Sequence, residues 1–245
     1  MTEKSLKQRV MELTGVFETS QRPPECFAGL TGNFDGQGLS FGVLQWNLGK
    51  ESLQPILKEL LLNHHEVMRG IFKDDLPKLE EMLAWSKDEQ VAWAARLSTI
   101  DQFNLIEPWN SYFKSLGVTL ECQALQLKYA EEYYQKVEKD FYNLELTSER
   151  AYALLFDIAV QLWHVPIDQI WADFDETGVE DEVEKLVIVA KRSAERANVK
   201  FRQDVLDRKM CIATGSGKVH GDWICVENFG ITMKEAVFEE EYVEV

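Results

Sequence analysis

Basic charge is in short supply. The chain has 26 Lys and Arg against 42 Asp and Glu in 245 residues, a net charge of −16. A phosphate backbone demands a basic surface, so nucleic acid is excluded as a partner. No apolar run is long enough to cross a bilayer, so no membrane span is expected. The opening residues lack the apolar core of a secretory signal, which predicts synthesis in the cytoplasm without that export route. Cysteine is sparse. Cys26, Cys122, Cys211 and Cys225 form no CxxC pair, so no zinc signature is present. They read as reduced, mostly buried thiols, with a Cys211–Cys225 bridge across a hairpin as the alternative. Gly215 and Gly217 are not followed by Gly-Lys-Ser/Thr, which excludes a phosphate-binding loop.

What is present is apolar residue, 45% of the chain, enough for a substantial core. There is no internal repeat and no long linker, so residues 1–245 read as one domain. Leu6, Val10, Leu13 and Phe17 recur at helical spacing and predict a helix over 5–17. Helices are also expected at 52–63, 66–73, 75–84, 88–98, 101–115 and 120–138. Others are expected after a cap at Thr147 or Ser148, at 183–199 and from Phe201 to Arg208. His64-His65 reads as a helix end, because neighbouring residues face two directions and chelate one metal poorly. The apolar stretch 39–46 predicts a strand, and 213–226 predicts turns with one hairpin. The acidic end, 239–245, reads as frayed. Ala151 to Trp163 is apolar all round, so that helix is expected to be central. Asp157 in its middle is costly unless paired.

Two carboxylates stand close together in unlike settings. Glu18 follows Val16 and Phe17 at a helix end, where an apolar wall would raise its pKa. Asp35 sits in a turn made by Gly32, Asn33, Gly36 and Gly38, where polar surroundings keep a carboxylate ionised. One protonated and one ionised carboxyl are what glycosidic-bond hydrolysis requires. The plain reading of the same residues is a helix C-terminus followed by an Asx-type turn.

The segment as a whole resembles the active-site region of the chitosanases of glycoside hydrolase family 46, in the lysozyme-like superfamily. That resemblance is carried by Glu18, by Asp35-Gly36-Gln37-Gly38-Leu39-Ser40 and by Phe41-Gly42-Val43-Leu44. It implies an α+β, mainly α, two-lobed lysozyme-like fold with a small sheet beside the cleft. It implies Glu18 as general acid, Asp35 as general base and Ser40 as a holder of the attacking water. It also implies an ion network in which Asp157 pairs with Arg202 and Arg208, and Arg208 approaches Glu18. Such chemistry requires no cofactor.

Substrate is read from the places where the pattern departs. Gln37 stands where the chitosanases usually carry Arg, and Gln45-Trp46-Asn47 replaces a small polar segment. With Gly38, the side chains of Gln37, Gln45 and Asn47 are candidate glycan contacts, and their amides would suit N-acetyl groups. That favours peptidoglycan, whereas a net charge of −16 favours cationic chitosan. The expected enzyme is an inverting lysozyme acting on the cell wall after delivery or lysis. A secretion-machine carrier or a cognate inhibitor would be its protein partner. A non-catalytic glycan-binding module is the reading from another class.

One further pattern is independent of these. Asp173, Asp175, Thr177, Asp181 and Glu184 fall at positions one, three, five, nine and twelve of an EF-hand-like stretch, with Gly178 sixth. Hard oxygen ligands at that spacing suit a structural Ca²⁺. An acidic interhelical loop is the alternative.

Overall fold

The computed structural model describes residues 4–238; the acidic end expected to fray lies outside them. The fold is mainly α, with small antiparallel sheets. It divides into two compact units, residues 18–130 and the pair of segments 1–17 and 131–245. The division falls inside α1 (Leu6–Thr19), whose residues Leu6, Val10, Leu13 and Phe17 are all buried, as their spacing predicts.

In residues 18–130 three two-residue strands form an antiparallel sheet in the order β1 (Leu30–Thr31), β2 (Ser40–Phe41), β3 (Trp46–Asn47). The single strand expected at 39–46 is therefore two strands and a turn. Gly42 and Gln45 take positive φ, 83° and 52°, which reverses the chain between them. Glycine is required at 42 for a second reason: a Cβ would stand 2.6 Å from the Gln126 amide oxygen. Six helices complete this unit: α2 (Leu53–Asn63), α3 (His65–Phe72), α4 (Leu76–Met82), α5 (Lys87–Leu97), α6 (Trp109–Gly117) and α7 (Leu120–Tyr129). Ser86 and Glu89 form a capping box at the start of α5. Phe41, Phe72 and Phe113 meet edge to face, and Trp93 packs on Trp109, so these tryptophans are core.

Residues 101–108 are not helical, contrary to the periodicity. Asp101 accepts the backbone N–H of Phe103, and Thr99 donates its backbone N–H to Asn104. Such local bonds offer the chain an alternative to helix. The helix expected over 120–138 is also two, broken at Ala130. Lys128 lies in the last turn of α7 and Glu131-Glu132 begins α8 (Glu131–Asn143), each charge matching its helix dipole.

The other unit is organised on α9 (Glu149–Leu162), which is buried from Glu149 through Ala159. Ser148 caps it by accepting the N–H of Ala151. Further N–H groups at its start donate to the 232–236 segment, Glu149 to the Lys234 carbonyl and Arg150 to that of Thr232. α8, α10 (Ile167–Thr177), α11 (Glu182–Glu195) and α12 (Arg202–Thr214) complete the helices. Each fully buried Leu or Phe among them contributes about 1.5–3 kcal/mol. The expected hairpin is present as β4 (Ser216–Val219) and β5 (Asp222–Cys225), turning at His220-Gly221 with both φ positive. No disulfide joins the four cysteines: Cys26, Cys122 and Cys211 are buried and Cys225 is half-buried. Among the described residues, no helix is long and apolar enough to cross a membrane.

Candidate active site

Glu18 and Asp35 belong to the same compact unit. Glu18 lies in the last turn of α1, after a run of buried residues ending at Phe17. Glu18 itself is exposed, so the burial expected from Val16 and Phe17 stops one residue short of it. Its side chain lines a cavity of about 490 Å³ together with Thr19, Glu25, Thr31, Gln45 and Lys114. Lys114, in the last turn of α6, is an exposed cation on that wall.

Asp35 is exposed at the tip of the turn between β1 and β2. Asn33 builds the turn. Its side-chain oxygen accepts the Gly38 N–H at 2.7 Å and its carbonyl accepts the Gly36 N–H at 3.1 Å. Asp35 accepts the Gln37 N–H at 3.0 Å, an Asx-type arrangement. Gly36 and Gly38 have φ of 77° and 79°, which other residues rarely adopt. Asn33 is tied in turn to α5 through its N–H, which donates to the Ser98 hydroxyl. Local sequence thus forms a stiff turn that presents one carboxylate to solvent.

The remaining candidates fall into different environments. Ser40 is buried on β2, paired in register with Asn47 on β3. Gln45 is half-buried and lines the Glu18 cavity; Thr31 donates to its side-chain oxygen and its amide donates to the Gly42 carbonyl. An amide has two N–H donors and two lone pairs, so capacity for a ligand remains. Gln37 lies in a separate hollow of about 480 Å³ beside Asn33, Gly36 and Lys87. Asn47 is not available as a glycan contact. It is buried, and its side-chain oxygen accepts the Lys50 N–H at 2.8 Å, closing the turn into α2.

In the α9 unit Asp157 is fully buried. Arg208 donates to one carboxylate oxygen at 2.5 Å and Lys209 donates to the other. Burial pushes the Asp157 pKa up, and the two cations outweigh it and hold the group below its ordinary value. Arg202, the second partner expected, is exposed as the first residue of α12. Lys209 takes its place because it adjoins Arg208 and is buried with it, whereas Arg202 begins the helix, six residues or about 9 Å of helix rise before Arg208. The Arg208 guanidinium also lies 5.2 Å from the Phe17 ring centre.

The calcium pattern does not form its loop. Asp173, Asp175 and Thr177 are in α10, and the Thr177 hydroxyl donates to the Asp173 carbonyl. The Asp173 carboxylate is held by Arg192 in a bidentate pair, one bond being 2.7 Å. Asp181 caps α11 by accepting the Glu184 N–H. Burial of Ile170 and Phe174 on one face of α10, with Gly178 as its C-cap, overrides the twelve-residue spacing, and no group of three or more candidate ligands converges among the described residues. These residues do not fit an EF-hand ion.

Lys209, Lys114 and Gln126 were not anticipated. Gln126 is buried; it accepts the Val43 N–H and donates to the Phe27 carbonyl, fixing the turn after β2. The adjacency of Lys209 to Arg208 was the one available signal.

No family model and no curated protein matches the chain. Solved structures do. A native chitosanase from Bacillus subtilis MY002 superposes with a TM-score of 0.51 at 20% identity, over 87% of this chain and 89% of that one. A glutamate-to-alanine mutant of that enzyme, complexed with 6 GlcN, matches to the same extent. A family 46 chitosanase from Gynuella sunshinyii, complexed with chitotetraose, gives a TM-score of 0.54 at 13% identity over 92% and 98%.

Proposed function

From a fold shared with the family 46 chitosanases, we propose that the protein is a glycoside hydrolase of β-1,4-linked amino-sugar polymers, with peptidoglycan its substrate and residues 1–245 one catalytic domain. The observation that carries this reading is the placement of two carboxylates in one unit, Glu18 on a cavity wall and Asp35 on a stiff glycine turn. Glu18, as carboxylic acid, gives its proton to the glycosidic oxygen as the C1–O bond breaks. Asp35, as carboxylate, takes a proton from a water whose oxygen attacks C1 from the opposite face. Ser40 steadies that water. The products would have inverted configuration, which calls for carboxyls about 6.5–9.5 Å apart.

Lys114 favours peptidoglycan. A cation on the wall that carries Glu18 repels protonated glucosamine and attracts the free carboxylates of the stem peptides that muramic acid carries. Gln45 on the same wall offers amide hydrogen bonding to an N-acetyl group. Chitosan is the second reading, favoured by the net charge of −16 and by the glucosamine oligomer in a structure of like fold. An enzyme of the first kind would act on the cell wall, with a delivery machine and a cognate inhibitor as partners.

Turbidity loss of purified murein, measured beside soluble chitosan with anomer analysis of the products, tests the reading. Lysis of murein with inverted products is expected. Activity on chitosan alone would establish the second reading. Binding without hydrolysis of either polymer would make the protein a glycan-binding module.

A further inference from the structure

Phe34 and Phe103 are 51% and 55% exposed, yet their rings stack with centres 5.1 Å apart and planes at 14°. Neither ring enters the core. Both are held on rigid backbone. Phe34 precedes Asp35 in the Asn33 turn, and the Phe103 carbonyl accepts the Gly32 N–H at 3.1 Å. The two loops touch so closely that a Cβ on Gly32 would lie 2.6 Å from the Gln102 carbonyl oxygen. Asp101 accepts the Phe103 N–H at 3.1 Å, which closes a local turn in that loop. Ile100 and Ile106, on the same loop, are exposed as well. Two stacked phenyl rings lock each other's orientation and leave outward faces in water.

We propose that the Phe34–Phe103 pair is a stacking platform for a pyranose ring of the glycan strand, one or more sugars away from the bond cleaved beside Asp35. The C–H face of a hexosamine is a flat apolar patch that fits an aromatic face, and a fixed ring loses little entropy on receiving it. An acidic protein gains contact there without charge, so the platform serves neutral N-acetylated sugars. The continuity of the rings with the Asp35 turn, one peptide bond away, places the sugar in the same strand that Glu18 and Asp35 would act on. The inference rests on that reading for the ligand.

Two measurements separate them. The full-length Glu18→Gln protein is sedimented with insoluble murein and with chitosan particles, alone and with Phe34→Ala, Phe103→Ala, Phe34→Leu or Phe34→Tyr added. Both rings are exposed, so thermal melting should show all variants folded. Each alanine, and the leucine that keeps apolar area without a ring face, should weaken murein binding about five- to tenfold, and tyrosine should preserve it. In the protein with Glu18 intact, Phe34→Ala should raise KM and spare kcat. Unchanged binding in the alanine variants, or leucine equal to tyrosine, overturns the platform. So does a change in oligomeric state without a change in glycan binding, since the rings would then join copies of the chain. Should Glu18→Gln keep its hydrolysis, the acid assignment fails while the binding series still decides the platform.

Discussion

The α9 unit encloses a carboxylate and the sheet unit displays two. Asp157 is sealed in the core, where Arg208 and Lys209 take both of its oxygens. Asp35 is exposed, and the bonds around it come from backbone N–H groups of its own turn. The same functional group is thus structural in one place and available for chemistry in the other. What separates them is the cost of desolvation: a buried carboxylate must be matched by cations, and once matched it cannot also serve a substrate.

The comparison breaks hardest at Asp157. Asp157→Ala leaves two buried cations without their anion and should cost about 3–5 kcal/mol in chemical denaturation. Its pKa is held down in the folded state. The stabilisation is therefore full above about pH 3.9, the unfolded value, and is lost only as pH falls through the lower folded value. Denaturation midpoints that stay level from pH 8 to pH 5 and fall in stronger acid would sharpen the contrast.

At the displayed acids the loss should be catalytic. Glu18→Gln and Asp35→Asn should each lower kcat by about 10²–10⁴ and leave the melting temperature near its starting value. A large melting shift in either variant would remove the distinction between the units. A smaller effect is expected at Lys114. Lys114→Glu should reduce murein hydrolysis and improve chitosan hydrolysis, by about 1 kcal/mol each at an exposed site. Thiol labelling gives the least change. Burial pushes the Cys122 and Cys211 thiols up to about 12, so alkylation at pH 8 should mark Cys225 before either of them, read by mass spectrometry.

The calcium pattern shows why a spacing can mislead. EF-hand donors converge only if the chain between them loops, and 167–177 is instead helix, where Arg192 takes the Asp173 carboxylate. Added Ca²⁺ at millimolar levels should accordingly leave the melting curve unmoved. The strand expected at 39–46 failed for a related reason. Its apolar content was visible, but the reversal at Gly42 answers to Gln126 on α7, more than eighty residues later.

Features that depend on neighbours in the chain were therefore legible from residue order. The face of α1, the buried character of α9, a cap at Thr147 or Ser148, a hairpin within 213–226 and the Asx turn at Asp35 all follow from local periodicity and turn chemistry. Choices among distant partners were not. Lys209 rather than Arg202 beside Asp157, the withdrawal of Asn47 into a turn, the exposure of Glu18 on a cavity and the pairing of Phe34 with Phe103 were settled by packing. A side chain's spacing sets the direction in which it leaves its own helix or strand, and only the assembled fold decides what it meets there.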